Sequence, residues 1–95
     1  MELQKPLEQC SLPELIELEQ ECRNKMASCL CVLLTREIDN QGTKKRIRSW
    51  LTQLRDVRNE GLPDELLADA LSVEEEAEAY LFLPKRERKE EAHHV

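Results

Sequence analysis

The strongest structural signal in the chain lies in residues 11–39, which read SLPELIELEQECRNKMASCLCVLLTREID. Ser11 and Glu14 have the spacing of a capping box, and Pro13 is tolerated in a first helical turn because its missing N–H would have no partner there. Apolar residues then recur every three or four positions, and no further Gly or Pro interrupts them. We therefore predict one helix over about residues 12–39, roughly 40 Å long at the standard rise per residue.

This first helix is long enough to need a partner for most of its length. Its apolar residues form one predicted stripe, which consists of Leu15, Leu18, Cys22, Met26, Cys29 and Leu33 and is widened by Leu12 and Leu30. Between Cys29 and Leu34 the apolar surface extends almost all the way round the helix, which indicates cover on more than one side. We expect this zone to be buried by other elements of the chain or by a second copy of it.

A second helix is predicted over about residues 43–59, with Thr43 as its N-cap. Its apolar residues fall at amphipathic helical spacing, and they are Ile47, Trp50, Leu51, Leu54 and Val57. The connection before it, residues 40–42, contains a glycine and is short. The first two helices should therefore be antiparallel neighbours.

The remaining apolar segments predict one or two short helices. Pro63, followed by two acidic residues, favours a helix start and predicts a helix over about residues 63–71. Ser72 begins a second capping box, from which a further helix over about residues 73–83 would start afresh. The sequence leaves open whether these are one helix or two.

The chain has 95 residues, of which 3% are aromatic and only two are glycine, while 36% are charged. Few aromatic residues and few turn-forming glycines favour helices over a sheet. Residues 85–95 alternate charges with almost nothing to bury, so we predict a disordered charged tail after one small domain, residues 1–84. The predicted fold class is all-α, an antiparallel helical hairpin closed by one or two short helices.

The composition and motifs disfavour several functions. The chain is too short for a multi-domain enzyme and has no glycine-rich phosphate-binding loop. No Cys or Ser has a histidine placed to act as its base, so we predict no catalytic residue and no cofactor. The longest apolar run, residues 29–34, is much shorter than a membrane span, and the N-terminus does not read as a secretory signal. We therefore expect no membrane partner and a cytoplasmic protein.

The cysteines suggest a different chemistry. We expect reduced, largely buried thiols that act as small hydrophobes, at Cys10, Cys22, Cys29 and Cys31. The last three, with His93 or His94, would supply enough zinc ligands by number, but there is no C-x2-C pair. Cys29 and Cys31 also point in different directions on a helix. We therefore predict no metal site and keep a thiol or zinc sensor as the weakest alternative.

The formal net charge of −6 is unevenly distributed along the chain. Residues 41–59 carry six cations and one acid, whereas residues 60–84 carry eight acids and no cation. The six cations are candidate partner-binding residues, namely Lys44, Lys45, Arg46, Arg48, Arg55 and Arg58. They could contact nucleic-acid phosphates, bind an acidic protein surface, or be neutralised by the acidic segments packed beside them.

The end of the last predicted helix offers a second candidate surface. Tyr80, Phe82 and Leu83 are candidate partner-binding residues, because the apolar run continues past the helical stripe up to Pro84. Part of this patch could be exposed as a docking surface. The alternative is that these side chains simply close the end of the bundle.

These observations favour a non-catalytic protein-interaction module, which would be an adaptor, an inhibitor or a regulatory subunit of a larger complex. An apolar surface too long for its own chain to cover and segregated charge both support this interpretation. The expected partner is a protein, either a larger complex or a second copy of the chain. The alternative is a small nucleic-acid-binding regulator that uses helix 43–59, and a thiol or zinc sensor is the weaker alternative.

Overall fold

The computed structural model describes residues 6–83. A short 3₁₀ helix, Leu7–Gln9, precedes three α-helices, which are α1 (Leu12–Asp39), α2 (Lys44–Glu60) and α3 (Asp64–Leu81). No strand occurs within the described residues. The predicted all-α class is therefore confirmed.

The starts of α1 and α2 are capped by side chains. The Ser11 hydroxyl accepts a hydrogen bond from the Glu14 backbone N–H at 3.3 Å, and the Glu14 carboxylate accepts one from the Ser11 N–H at 2.8 Å. The Thr43 hydroxyl likewise accepts from the Arg46 N–H at 3.3 Å. These bonds satisfy N–H groups that have no partner inside the first turn of a helix. The observed bounds of α1 and α2 agree with the predicted ones to within one residue.

The turn between α1 and α2 depends on two neighbouring residues for different reasons. Gln41 adopts a left-handed backbone conformation with φ of 54°, and its N–H donates to the Ile38 carbonyl at 3.0 Å. Gly42 has no positive φ, but a Cβ there would overlap the Glu37 carboxylate. That carboxylate accepts a hydrogen bond from the Thr43 N–H at 3.2 Å, so it ties the end of α1 to the start of α2.

The third helix is continuous from Asp64 to Leu81, so the structure has one helix where the sequence left open one or two, and the capping box at Ser72 starts no new helix. No Gly or Pro follows Asp64 within α3, and a serine inside a helix costs only about 0.5 kcal/mol. An unbroken helix keeps one face on the core on both sides of Ser72. The buried residues of that face are Ala70, Glu74, Ala77 and Tyr80.

The core lies between the three helices, each of which contacts the other two. Its buried apolar residues are Ala27, Leu30 and Leu34 from α1, Ile47, Leu51, Leu54 and Val57 from α2, and Ala70, Ala77 and Tyr80 from α3. The predicted stripe of α2 is thus confirmed, with Trp50 packed against the cluster. The three alanines leave little side-chain volume between the helices, which allows their backbones to approach closely.

The predicted stripe of α1 is not the core side of the helix, which corrects the prediction, although Leu33 packs against the core and Leu30, which widens the stripe, is buried. Met26 is 49% exposed, Cys22 and Cys29 are exposed, and only the leucines of the stripe are half-buried. The true core side, which includes Ala27 and Leu30, lies roughly a third of a turn further round the helix. The spacing misled because α1 carries apolar residues on two sides, and periodicity does not say which side meets α2 and α3.

The first helix extends past the two helices that it packs against. It has 28 residues, about 42 Å, whereas α2 has 17 and α3 has 18. The chain leaves α2 at Gly61, whose carbonyl accepts a hydrogen bond from the Gln20 side chain at 3.3 Å. No residue of α1 before Ala27 is buried, and Leu12 and Ile16 are 70% and 61% exposed. The molecule accordingly measures 59 × 25 × 16 Å.

The four cysteines are free thiols, but they are not largely buried as predicted. Cys22 and Cys29 are exposed, and Cys10 and Cys31 are only half-buried. Cys22 lies at the edge of an open groove between α1 and α2, and neither exposed thiol belongs to the core between the three helices. The burial prediction failed for the same reason as the predicted stripe.

No helix in the described part of the chain is long and apolar enough to cross a membrane. The predicted charged tail, residues 85–95, lies outside the described residues. His93 and His94, which the zinc hypothesis required, also lie outside them.

Candidate partner-binding surface

A buried ion pair joins α2 to α3. Glu74 is only 6% exposed, and its carboxylate accepts two hydrogen bonds from Arg58, at 2.6 Å from Nε and 3.1 Å from Nη2. The hydrogen bond to Glu74 raises the pKa of the Arg58 guanidinium above its ordinary value, because deprotonation would leave the carboxylate unpaired. This two-pronged contact fixes the register of α2 on α3 and removes Arg58 from the set of free cations.

Two further cations of α2 are also neutralised by acids of the same chain. Arg55 forms an ion pair with Glu78 of α3, and Arg46 pairs with Glu37 of α1 at 3.2 Å. The Arg46 guanidinium also lies 6.0 Å from the centre of the Trp50 ring, at the limit of a cation–π contact. Half of the six predicted partner-binding cations therefore contribute to the packing of the three helices.

The other three cations differ in how free they are. The Lys44 ammonium donates to the Leu83 carbonyl at 2.8 Å, where it interacts favourably with the C-terminal end of α3. Lys45 and Arg48 are exposed, and neither forms an ion pair within residues 6–83. These two side chains leave a small positive surface on the outer side of α2.

An open groove of about 490 Å³ lies between α2 and α3, next to the end of α3. Leu51 and Leu81 supply apolar surface in it, Arg48 supplies a free cation, and Arg55 lines it as an ion pair with Glu78. Phe82 lines the groove and is 84% exposed. The structure thus brings together one end of the predicted aromatic patch and a free cation of the basic helix.

The predicted patch at residues 80–83 is divided by the structure. Tyr80 is 6% exposed and belongs to the core, and its hydroxyl donates to the Gly42 carbonyl at 2.6 Å. Its side chain therefore holds the end of α3 against the α1–α2 turn and offers no surface to a partner. Phe82 and Leu83, which is 38% exposed, form the remaining exposed patch.

The thiols do not gather into a metal site in the described part of the chain. No group of three His, Cys, Asp or Glu residues within residues 6–83 could hold a metal ion. Cys31 faces an open groove of about 430 Å³ between α1 and α3. Burial raises the pKa of its thiol, and the nearby charges of Asp69 and Glu74 raise it further. This thiol is therefore less reactive than an ordinary cysteine.

Two features of this surface were missed in the sequence. Glu74 looked like one of three consecutive surface acids, although its spacing from Ala70 and Ala77 places it on the core side of α3. The exposure of Leu12 and Ile16 was missed because the length of α1 alone does not show where its neighbours end. Comparing helix lengths, 28 predicted residues against 17, was the available signal for the second feature.

The chain matches no protein-family model, no curated protein and no solved structure.

Proposed function

We propose that the chain is a non-catalytic protein-interaction module, built as an α1–α2 hairpin closed by α3. It would act as an adaptor, an inhibitor or a regulatory subunit of a larger protein in the cytoplasm. Its partner would offer an apolar side chain flanked by acidic residues. The observation that carries the proposal is the exposed Phe82 beside the α2–α3 groove.

The exposure of Phe82 is costly in the absence of a partner. Burying a phenylalanine side chain contributes about 1.5–3 kcal/mol, and at 84% exposure most of that is not realised within this fold. Leu83 extends the patch, and the groove beside it offers apolar surface from Leu51 and Leu81. A large aromatic residue beside a partly apolar groove is typical of the few residues that dominate binding at protein interfaces.

The charge pattern supports a partner with acidic residues. Arg48 lines the groove, and Lys45 lies one turn before it on α2. Two free cations speed and orient the approach of an acidic protein surface. They offer much less to nucleic acid, whose binding strengthens with each phosphate that a cation neutralises, since Arg46, Arg55 and Arg58 are already paired.

Affinity capture from the source cells tests the proposal when the bait is compared with two variants. Phe82→Ala removes the exposed aromatic ring, and Arg48→Glu reverses the charge at the groove. Leu71→Ala is the matched control, because Leu71 is 45% exposed on the same helix and does not line the groove. We expect one partner that is captured by the parent and by the control but lost, about tenfold or more, by both groove variants.

Direct titration then separates a protein partner from nucleic acid. The captured protein should bind the purified chain with the same dependence on Phe82, measured by calorimetry. A fluorescence anisotropy titration with labelled duplex DNA and single-stranded RNA should give no steeply salt-dependent binding. Salt-dependent nucleic-acid binding that is lost in Arg48→Glu, with no protein that depends on Phe82, would support the nucleic-acid alternative instead.

A further inference from the structure

We propose that the projecting N-terminal half of α1 binds a cationic amphipathic helix of a partner protein. The surface consists of the exposed side chains of Leu12 and Ile16 and the acidic residues around them. It lies past the connection between α2 and α3, at the opposite end of α3 from Phe82. The proposal therefore goes beyond the function proposed above and does not depend on it.

Leu12 and Ile16 point to the core side of α1. Leu12 lies 18 residues before Leu30, and Ile16 lies 18 residues before Leu34. This spacing is about five full turns of an α-helix, so each exposed residue points in the same direction as a buried one. The two pairs differ only in their position along the helix axis, by roughly 27 Å. The apolar face that forms the core thus continues into the first turns of α1.

The neighbours of α1 end just before this part of its apolar face. Gln20 and Arg23 donate hydrogen bonds to the Gly61 carbonyl at 3.3 and 3.1 Å, so the end of α2 lies level with these two residues. Leu12 and Ile16 lie roughly one to two turns further towards the N-terminus, and they are 70% and 61% exposed. A helix is the neighbour that fits this face, because α2 and α3 already pack on its continuation.

The same end of the molecule is strongly acidic. Residues 6–22 contain five acids and residues 60–65 contain three, all of them exposed, and neither range contains a cation. Arg23, the first cation of α1, is already bound to Glu19 and to two backbone carbonyls. This potential attracts a partner that carries Lys or Arg side chains, whereas it repels nucleic acid and anionic lipid.

Helix dipoles account for only part of this acidity. Glu14, Asp64 and Glu65 lie in first turns, where negative charge stabilises a helix. Glu60 lies at the C-terminal end of α2, where negative charge is unfavourable, and Glu17 lies past the first turn of α1. Acidic residues beyond those that favour the helix starts therefore surround an uncovered apolar face. This combination is complementary to a helix with one apolar side and flanking cations.

A binding titration with synthetic peptides tests the proposal. The probe is a labelled helix-forming peptide of about 18 leucines and lysines at amphipathic spacing, and its control has glutamate in place of lysine. Fluorescence anisotropy should show that the full chain binds the lysine peptide, more weakly at high salt, and does not bind the glutamate peptide. Leu12→Gln with Ile16→Gln should weaken binding about tenfold or more, because it removes the apolar contact. Val32→Gln is the control, since Val32 is 50% exposed in the other half of α1, and it should keep the parent's affinity.

A second pair of variants tests the acidic residues. Glu17→Gln with Glu21→Gln should weaken binding of the lysine peptide and reduce its salt dependence. Glu75→Gln with Glu76→Gln removes two exposed acids from α3 and should leave both unchanged. Phe82→Ala should bind the lysine peptide as the parent does, which separates this surface from the α2–α3 groove.

Three outcomes would overturn the proposal. The first is no binding of the lysine peptide, and the second is binding that survives the glutamine substitutions at positions 12 and 16. The third is a two-chain mass of the parent in sedimentation velocity that the same substitutions reduce to one chain, because a second copy would then be the occupant. Circular dichroism should show that every variant keeps the parent's helix content.

Discussion

Glu74 belongs to the acidic segment of residues 60–84, and its buried side chain forms a packing contact between α2 and α3. Its buried carboxylate accepts two hydrogen bonds from Arg58, and an amide at this position would keep one acceptor and lose the charge. We expect Glu74→Gln to lower the melting temperature by about 4–8 °C or more, the shift that one net hydrogen bond represents in a domain of this size. Thermal unfolding followed by circular dichroism measures this.

The neighbouring acid provides the control for that substitution. Glu75 is exposed on the same helix, and Glu75→Gln should leave the melting temperature unchanged. Equal losses in the two variants would contradict a specific role for the buried pair. Raising the pH cannot substitute for the mutation. The pKa of Arg58 is raised above its ordinary value, so the guanidinium stays charged even at a pH that would deprotonate a free arginine.

The thiols provide a second prediction for single residues. Cys22 and Cys29 are exposed, whereas Cys31 is half-buried and has a raised pKa, so at neutral pH almost none of it is thiolate. We expect iodoacetamide to modify Cys22 and Cys29 well before Cys31, as mapped by peptide mass spectrometry. In denaturant the difference should disappear.

The same raised pKa gives a direction for the pH dependence of stability. Above the ordinary thiol pKa the unfolded chain releases the Cys31 proton more readily than the folded chain does. This contribution to stability is therefore present at neutral pH and is lost as the pH rises through the alkaline range. Modification of Cys31 as fast as Cys29 in the folded chain would contradict both statements.

The sequence indicated which side chains carry charge, but it could not show where those charges pair. One of three open alternatives was that acids of the same chain neutralise the basic helix. Ion pairs at Arg46, Arg55 and Arg58 neutralise three of its six cations in this way. Each pair joins residues nine or more positions apart, so it depends on how the helices are placed. The hydrogen bond of Tyr80 also depends on how the helices are placed, because its acceptor, the Gly42 carbonyl, lies 38 positions away in the α1–α2 turn.

At the level of the helices, patterns between residues close in sequence predicted where α1 and α2 start. The features that depend on contacts between helices were not predicted. The starts of α1 and α2 depend on hydrogen bonds between residues three positions apart, and the sequence contains both partners of each bond. The same capping pattern at Ser72 failed, because the buried face of α3 continues through it. The orientation of α1 could not be predicted, since it depends on the two helices that pack beside it.

The α1–α2 turn allows a prediction for one connecting element. Gln41 holds a left-handed conformation that glycine adopts without strain, so Gln41→Gly should raise the free energy of unfolding by about 1 kcal/mol. Gly42→Ala should lower it, because the added methyl group displaces the Glu37 carboxylate from the Thr43 N–H. Urea unfolding followed by the fluorescence of Trp50 measures both. A loss of stability in Gln41→Gly would show that the Gln41 side chain matters more than its backbone.

For the whole molecule, stability and exposed surface are separated along α1. Every buried residue of this helix lies at Ala27 or later, and the first half of α1 is tied to the end of α2 by hydrogen bonds from Gln20 and Arg23 rather than by buried side chains. Leu34→Ala should therefore cost about 2–5 kcal/mol, because Leu34 is fully buried among the three helices. Ile16→Ala, at 61% exposure, should cost under about 0.5 kcal/mol in a single chain.

This separation predicts a gradient of hydrogen exchange along one unbroken helix. In dilute solution the amides of residues 14–20 should exchange through local fraying, while those of Leu30 and Leu34 should exchange only through global unfolding. Equal protection of both halves in dilute solution would contradict the gradient. A helix uniformly protected there would need a source of stability in its first turns other than buried contacts, because none of those residues is buried.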